Sequence, residues 1–256
     1  MHLHLTNKVA LITGVSRQAG IGAAIARQLA HAGATIFTTY YRPYDVEIAL
    51  SKGDQEAEQL LAELRHNGTN AAGLEIDLAD PAAPALIFDA AERTFGHVDI
   101  LVNNATRDTP ANIDTITAAT LDQHYAVNIR GPLLLCHKFV QRFQGGEGGR
   151  IINLTSGQGV TPMPESLPYV ASKGAIEALT FSLAPPLMQR GITINAVDPG
   201  ATDSGWMDAE LRAQLAAEAP ARRVGLPEDA ARLITFLASG EAGWITGQIL
   251  RSRGGA

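Results

Sequence analysis

"KVALITGVSRQAGIGAAIARQLAHAG", residues 8–33, decides how the chain is built. Its first part, "KVALIT" (8–13), is a short β-branched and apolar run without alternation, which predicts a strand buried on both faces. Its last part, "GAAIARQLAHAG" (22–33), has a helical pattern and closes on Ala32-Gly33, with glycine near the C′ position. Between them "TGVSRQAGIG" (13–22) turns directly from strand to helix. Gly14 permits a tight turn, and Gly20 and Gly22 let the helix start close to a phosphate, whose charge suits a helix N-terminus. The glycines are too far apart for the spacing Gly-x-Gly-x-x-Gly, and a bare glycine cluster also serves as a plain turn. The placement between strand and helix tips the reading towards phosphate binding.

The same alternation recurs along the chain. Buried strands are expected at "ATIFTTY" (34–40), "AAGLEID" (71–77), "VDILVNN" (98–104), "GRIINLTS" (149–156) and "GITINAVD" (191–198). Helices are expected at 54–68, 83–96, about 120–143, 168–183 and 227–239. Strand, helix, strand in strict order argues an α/β fold of one domain over 1–256, a parallel sheet doubly wound by helices in the Rossmann manner. Pro185-Pro186 should kink or end the helix that precedes them. Residues 41–53 are long for a loop, and 200–226 opens on a Gly-Pro-rich turn. Both belong to the carboxyl edge of the sheet, where the first would shape the adenine end of a site and the second would form a substrate lid.

Composition narrows the class. The chain has 256 residues, 46% of them hydrophobic, and a formal net charge of -6. Without a run of like charge, a nucleic-acid or anionic-membrane partner is disfavoured, and a small-molecule partner is favoured. No apolar run approaches the roughly 18 residues of a membrane span. The opening lacks an export signal, and Cys136 is the single cysteine, so a reducing cytoplasm fits and no disulfide or thiolate metal cluster forms. Cys136 reads as core filler. No metal site is expected: His2 and His4 have no third ligand nearby.

The second strand ends in "TTYYRP" (38–43), with no acid to hold a ribose 2′-hydroxyl. Arg17 and Arg42 are placed to meet a 2′-phosphate as charge-assisted donors, so NADP(H) is favoured over NAD(H). Two other readings stay open: the arginines as a solvated surface pair, and Asp45 folding back onto a ribose. Further on, Tyr169 and Lys173 in "YVASK" share a helix face at i, i+4. An ammonium beside a phenol lowers the phenol's pKa, so Lys173 is expected to make Tyr169 an acid-base group near neutrality.

With these residues together the chain resembles the short-chain dehydrogenase/reductase family, in its compact branch similar to 3-oxoacyl-carrier-protein reductases, over almost its whole length. "TGVSRQAGIG" resembles the family's Thr-Gly-x-x-x-Gly-x-Gly with Gln18-Ala19 added, and "LVNNAT" (101–106) its Asn-Asn-Ala-Gly with Thr106 for glycine. "EIDLAD" brings Asp77 and Leu78, "YAVNIRGP" Asn128, "NLTS" Ser156, thirteen residues before Tyr169, and "NAVDPGAT" Pro199, Gly200 and Thr202. The resemblance implies an NAD(P)-dependent oxidoreductase that interconverts a carbonyl and a secondary alcohol. It implies Tyr169 as acid or base, Ser156 on the substrate oxygen, Asn128 supporting a water relay, and Lys173 on the nicotinamide ribose. Gly14, Ser16, Arg17, Ile21, Arg42, Asp77, Leu78, Asn104, Ala105, Tyr169, Lys173, Pro199, Gly200 and Thr202 would line the cofactor. A homo-oligomer, dimer or tetramer, is implied as well.

Alternatives are a non-catalytic NAD(P)-binding regulator, which has no need of the Asn-Ser-Tyr-Lys set, and a sugar-nucleotide epimerase or dehydratase, which usually needs a larger substrate domain. A divergent enoyl reductase also has a lengthened glycine loop but spaces Tyr and Lys more widely. One departure stands out: the family often closes on Asp-Gly-Gly, and this chain reads "RSRGGA", with Arg253 at the acidic position.

Overall fold

Parallel strands in the order β3-β2-β1-β4-β5-β6-β7 make one sheet, seen in a computed structural model that describes residues 3–50 and 55–255. The chain runs β1 (Val9–Ile12), α1 (Ile21–His31), β2 (Thr35–Tyr40), α2 (Arg42–Glu47), α3 (Glu56–His66) and β3 (Ala71–Glu75). It continues through α4 (Ala83–Phe95), β4 (Ile100–Asn103), α5 (Ala118–His124), a π-helical turn (Tyr125–Arg130) and α6 (Gly131–Arg142). The last part is β5 (Gly149–Leu154), α7 (Leu167–Met188), β6 (Ile192–Asp198), α8 (Ala209–Glu218), α9 (Pro227–Ala238) and β7 (Ile249–Arg251). The start of the helix expected at 54, the end of the 41–53 segment, His2 and Ala256 lie outside the described residues.

The strands are apolar on both faces because each face has its own core. On β1, Ala10 and Ile12 join one cluster and Leu11 the other, and β4 divides Ile100 and Val102 from Leu101 in the same way. The first cluster takes in α1, α3 and α9, and the second α4, α6 and α7. Winding reverses between β1 and β4, and the carboxyl ends of those strands open the crevice in which ligands of this architecture bind.

Several expectations need correction. β3 is an edge strand, half-exposed beyond Ala71 and ended at Glu75, so it is not buried on both faces. The 41–53 segment holds a helix, α2, begun next to Pro43. The helix expected over about 120–143 is present from Ala118 to Arg142, with a π-helical turn at Tyr125–Arg130 in its course. α7 runs through Pro185 and Pro186 to Met188. The carbonyl groups that lose their donors there belong to Phe181 and Ser182, both exposed, so water can satisfy them.

Leu29 is fully buried in the first cluster. Leu29→Ala should lower the unfolding free energy by about 2–5 kcal/mol, read by chemical denaturation, with secondary structure retained.

Candidate functional site

The glycine turn is held from below by the end of β4. Asn104 donates its side-chain N–H groups to the carbonyl oxygens of Thr13 (2.8 Å) and Gly14 (2.9 Å), and its backbone N–H, like that of Ala105, donates to Thr13 Oγ1. Gly14 takes φ +73°, and a Cβ there would lie 2.5 Å from Ala105 Cα. A Cβ on Gly22 would lie 2.7 Å from Asn104 Nδ2. These glycines are therefore required by close approach as well as by the turn. Above them α1 starts at Gly20 with no side chain capping it and no acid in its first turn. Such an uncapped N-terminus beside a Cβ-free turn fits the pyrophosphate of a dinucleotide.

One cavity of about 1450 Å³ runs from this turn along the carboxyl edge of the sheet. Of the expected residues, Gly14, Ser16, Arg17, Ile21, Asp77, Leu78, Asn104, Ala105, Ser156, Tyr169, Pro199, Gly200 and Thr202 all line it. Arg42, Asn128 and Lys173 do not line it. Lys173 and Asn128 are buried, and Arg42 stands at the end of β2. Tyr41 reaches Asp77 with its hydroxyl, which ties that acid to the β2 end.

Ser156 and Tyr169 bring their hydroxyl groups next to each other at the cavity wall. Ser156 comes from the end of β5, and Tyr169 from the first turn of α7. One turn further on, Lys173 donates from Nζ to the Leu154 carbonyl oxygen (2.8 Å), with Nζ 5.4 Å from the Tyr169 ring centre. The direction of the tyrosine shift is opposite to the expectation. Burial pushes Tyr169 up to about 12, opposed by the neighbouring Ser156 hydroxyl, while burial pushes Lys173 down to about 8. Lysine and phenol lie in the same desolvated pocket, and the ammonium is engaged by a carbonyl oxygen. Asn128 sits in the π-helical turn, accepts from Arg107 N–H (2.7 Å), and donates to Arg107 O (2.8 Å) and Ser172 Oγ (3.0 Å).

The two arginines expected at a 2′-phosphate both have acidic partners. Arg17 donates from Nε to Asp45 (3.0 Å) and from Nη1 to the Ser204 carbonyl oxygen (2.8 Å). Arg42 is paired with Glu75 through two nitrogens and with Glu58 at 3.1 Å. Burial raises Asp45 above the usual carboxylate range, opposed by the nearby Ser16 hydroxyl and by Arg17. The inserted Gln18-Ala19 faces α3: Gln18 N–H donates to Glu56 (2.8 Å) and its side chain to Gln59 (2.9 Å).

Other residues of the site escape sequence reading. Tyr44 of α2 donates its hydroxyl to Asp108 O (3.1 Å) and accepts from Asp108 N–H (2.8 Å), while Arg107 stacks on its ring at 5.0 Å and pairs with Glu47. This brings α2 over the crevice. Asp108 is held above the usual carboxylate range by burial. The one signal for these residues was the unusual length of 41–53. The 200–226 segment carries α8, capped by Asp208 through Leu211 N–H (2.8 Å), and contributes Trp206, Leu211 and Leu215 to the cavity.

A family model described as "Enoyl-(Acyl carrier protein) reductase" matches residues 14–256. The chain is 45% identical over 254 residues to the uncharacterized oxidoreductase YjdA of Bacillus subtilis (strain 168), covering 98% of each. It is similar to LugOII, a promiscuous reductase that catalyses keto-reduction at C1 during lugdunomycin biosynthesis, with 36% identity, TM-score 0.86 and 98% of each chain covered. A short-chain dehydrogenase from Burkholderia cenocepacia J2315 in complex with NADP gives 34% identity, TM-score 0.87 and 98% of each chain covered.

Because folding lowers Lys173 from 10.5 to about 8, the unfolded chain holds a proton between those values that the folded chain has shed. This group's contribution to stability is therefore lowest below pH 8 and rises with pH through that window. The difference in melting temperature between Lys173→Met and the unaltered chain should shift against the variant from pH 7 to pH 10. A difference constant with pH would contradict the assignment.

Proposed function

Since the chain belongs to the short-chain dehydrogenase/reductase family of NAD(P)-dependent oxidoreductases, we propose that it is an NADP(H)-preferring reductase of ketones, with Tyr169 delivering the proton. The carrying observation is the Ser156–Tyr169 hydroxyl pair at the cavity wall, in which the phenol keeps its proton up to about 12. A group so held is set to donate, which supports the reductive direction at neutral pH. When bound, the nicotinamide supplies the hydride to the substrate carbon. Ser156 orients the carbonyl oxygen by hydrogen bonding, and Tyr169 transfers its proton to that oxygen as charge develops there. Lys173, charged below about 8, provides the positive potential behind the ring that steadies the departing proton's phenolate. Asn128 fixes the Arg107–Asp108 backbone and the Ser172 side chain behind this pair. The Tyr-x-x-x-Lys spacing is short for a divergent enoyl reductase, and it supports carbonyl chemistry.

NADP(H) preference rests on the end of β2, where Tyr40, Tyr41 and Arg42 offer no acid, and on the Burkholderia relative, which holds NADP. Arg42 is the residue assigned to the 2′-phosphate. Its Glu58 partner is 38% exposed and can give way to a phosphate while the two-pronged pairing with Glu75 stays. Asp77 would take the adenine end, and Pro199, Gly200 and Thr202 the nicotinamide end. The protein is proposed to work in the cytoplasm as a homo-oligomer of one domain per chain. Among the described residues no helix is long and apolar enough to cross a membrane, and Phe181 on α7 (74% exposed) and Trp244 (90%) offer apolar contact surface. Light scattering after gel filtration tests the assembly.

The deciding measurement is cofactor oxidation with a panel of ketones, run with NADPH and NADH in parallel. Tyr169→Phe should lower turnover roughly 10²–10⁴-fold with NADPH binding retained. Binding without turnover in the unaltered protein would overturn the enzymatic reading. Arg42→Ala should raise the KM for NADPH about tenfold and leave that for NADH within about twofold. Reductive kcat/KM should fall as pH rises through about 8, following Lys173.

A further inference from the structure

Arg253 is the residue that neither the fold nor the proposed chemistry uses. It follows β7, and its side chain passes across the end of β6 to Gly157, next to Ser156. Two glycines make room for it. A Cβ on Gly200, at φ +66°, would lie 2.9 Å from Arg253 Cγ, and a Cβ on Gly157 would lie 3.1 Å from both terminal nitrogens. Only 13% of the side chain is exposed, and it lines the same cavity as Tyr169.

The guanidinium is held without being satisfied. Its Nε and Nη1 are buried and have no hydrogen-bond acceptor, and Asp198 Oδ2, also without a donor, stands 3.7 Å from Nη1. Every other arginine at this rim is paired: Arg223 and Arg232 both bond to Asp229. Nη2, the nitrogen not shut off from solvent, has no acceptor either among the described residues, and a guanidinium so placed on the cavity wall offers a carboxylate a charge-assisted bond.

We propose that Arg253 binds a carboxylate carried by the substrate, so that this reductase acts on oxo-acids, the carboxylate docking on the guanidinium that Gly157 and Gly200 make room for while the ketone meets Ser156 and Tyr169. The proposal rests on the ketone-reductase reading above and adds its substrate class. Asp198 acts on it as a positioning residue: it balances the guanidinium charge without bonding it.

The test compares acids with their methyl esters, using 4-acetylbenzoate and levulinate in NADPH-dependent reduction. The unaltered protein should favour the acid of at least one pair by about tenfold or more in kcat/KM, and Arg253→Met should bring that acid/ester ratio close to one. Asp198→Asn, which leaves the guanidinium in place, should raise the ratio and covers the case in which the methionine variant fails to fold. Independently of turnover, the product-like 4-(1-hydroxyethyl)benzoate should raise the melting temperature of the unaltered protein with NADP present and not that of Arg253→Met. Preference for the esters, a ratio that the variants leave in place, or a parallel loss of NADPH binding in Arg253→Met overturns the assignment. Failure to reduce any acid, ester or simple ketone overturns the ketone-reductase reading itself, and the oxo-acid inference with it.

Discussion

The bond on which the site depends is the one from the Asn104 side chain to the carbonyl oxygens of Thr13 and Gly14. It joins the ends of β1 and β4, the neighbouring strands at which the winding reverses. Any doubly wound sheet has a crevice there, but a crevice between two free loops would not hold a ligand in fixed geometry. With Asn104 in place the turn is anchored to the sheet. Gly14 and Gly22 then have no room for a side chain, because the backbone and amide of 104–105 occupy it. The lengthened loop can accommodate Gln18-Ala19 because its fixed points are Gly14 below and α1 above, while the added residues bond outward to α3.

Charge along the cavity is arranged by distance from the protein's surface. Beside the cavity, at the end of β2, Arg42 is half-exposed and matched by Glu58 and Glu75, an arrangement that water screens. At the end holding Ser156, Lys173 is buried and Tyr169 is hemmed in at the cavity wall, and desolvation moves both towards their neutral forms. The phenol therefore keeps its proton, and the lysine stays charged only over the acidic and neutral range. In the proposed reduction the same pocket would set both the donor and the pH at which its support fades.

The strands were legible because burial on both faces writes an unbroken apolar run, as in "KVALIT" and "GRIINLTS". β3 misled because its edge position depends on which strand lies beside it, which no local pattern records. The π-helical turn at Tyr125–Arg130 was hidden in a helical sequence, and Pro185-Pro186, read as a kink or an ending, do not end α7, since exposure of Phe181 and Ser182 is a tertiary fact. At the site, the glycine turn and Tyr169 with Lys173 were legible because spacing alone brings them to one face. Arg17 was not: its acidic partner Asp45 lies 28 residues away, and Ser204 lies 187 away. Tyr44 and Asp108, 64 residues apart, were likewise beyond a reading by spacing. The direction of the tyrosine shift failed for a related reason, since desolvation is a property of everything packed around the ring.

Arg17 has one further consequence. A single guanidinium on the glycine turn grips α2 through Asp45 and the start of the 203–205 turn through Ser204. Neither overhanging segment can swing outward without parting a charge-assisted bond at that shared knot. The two therefore behave mechanically as one hinged cover, and the same bonds that close the crevice set a threshold on the escape of whatever lies beneath it.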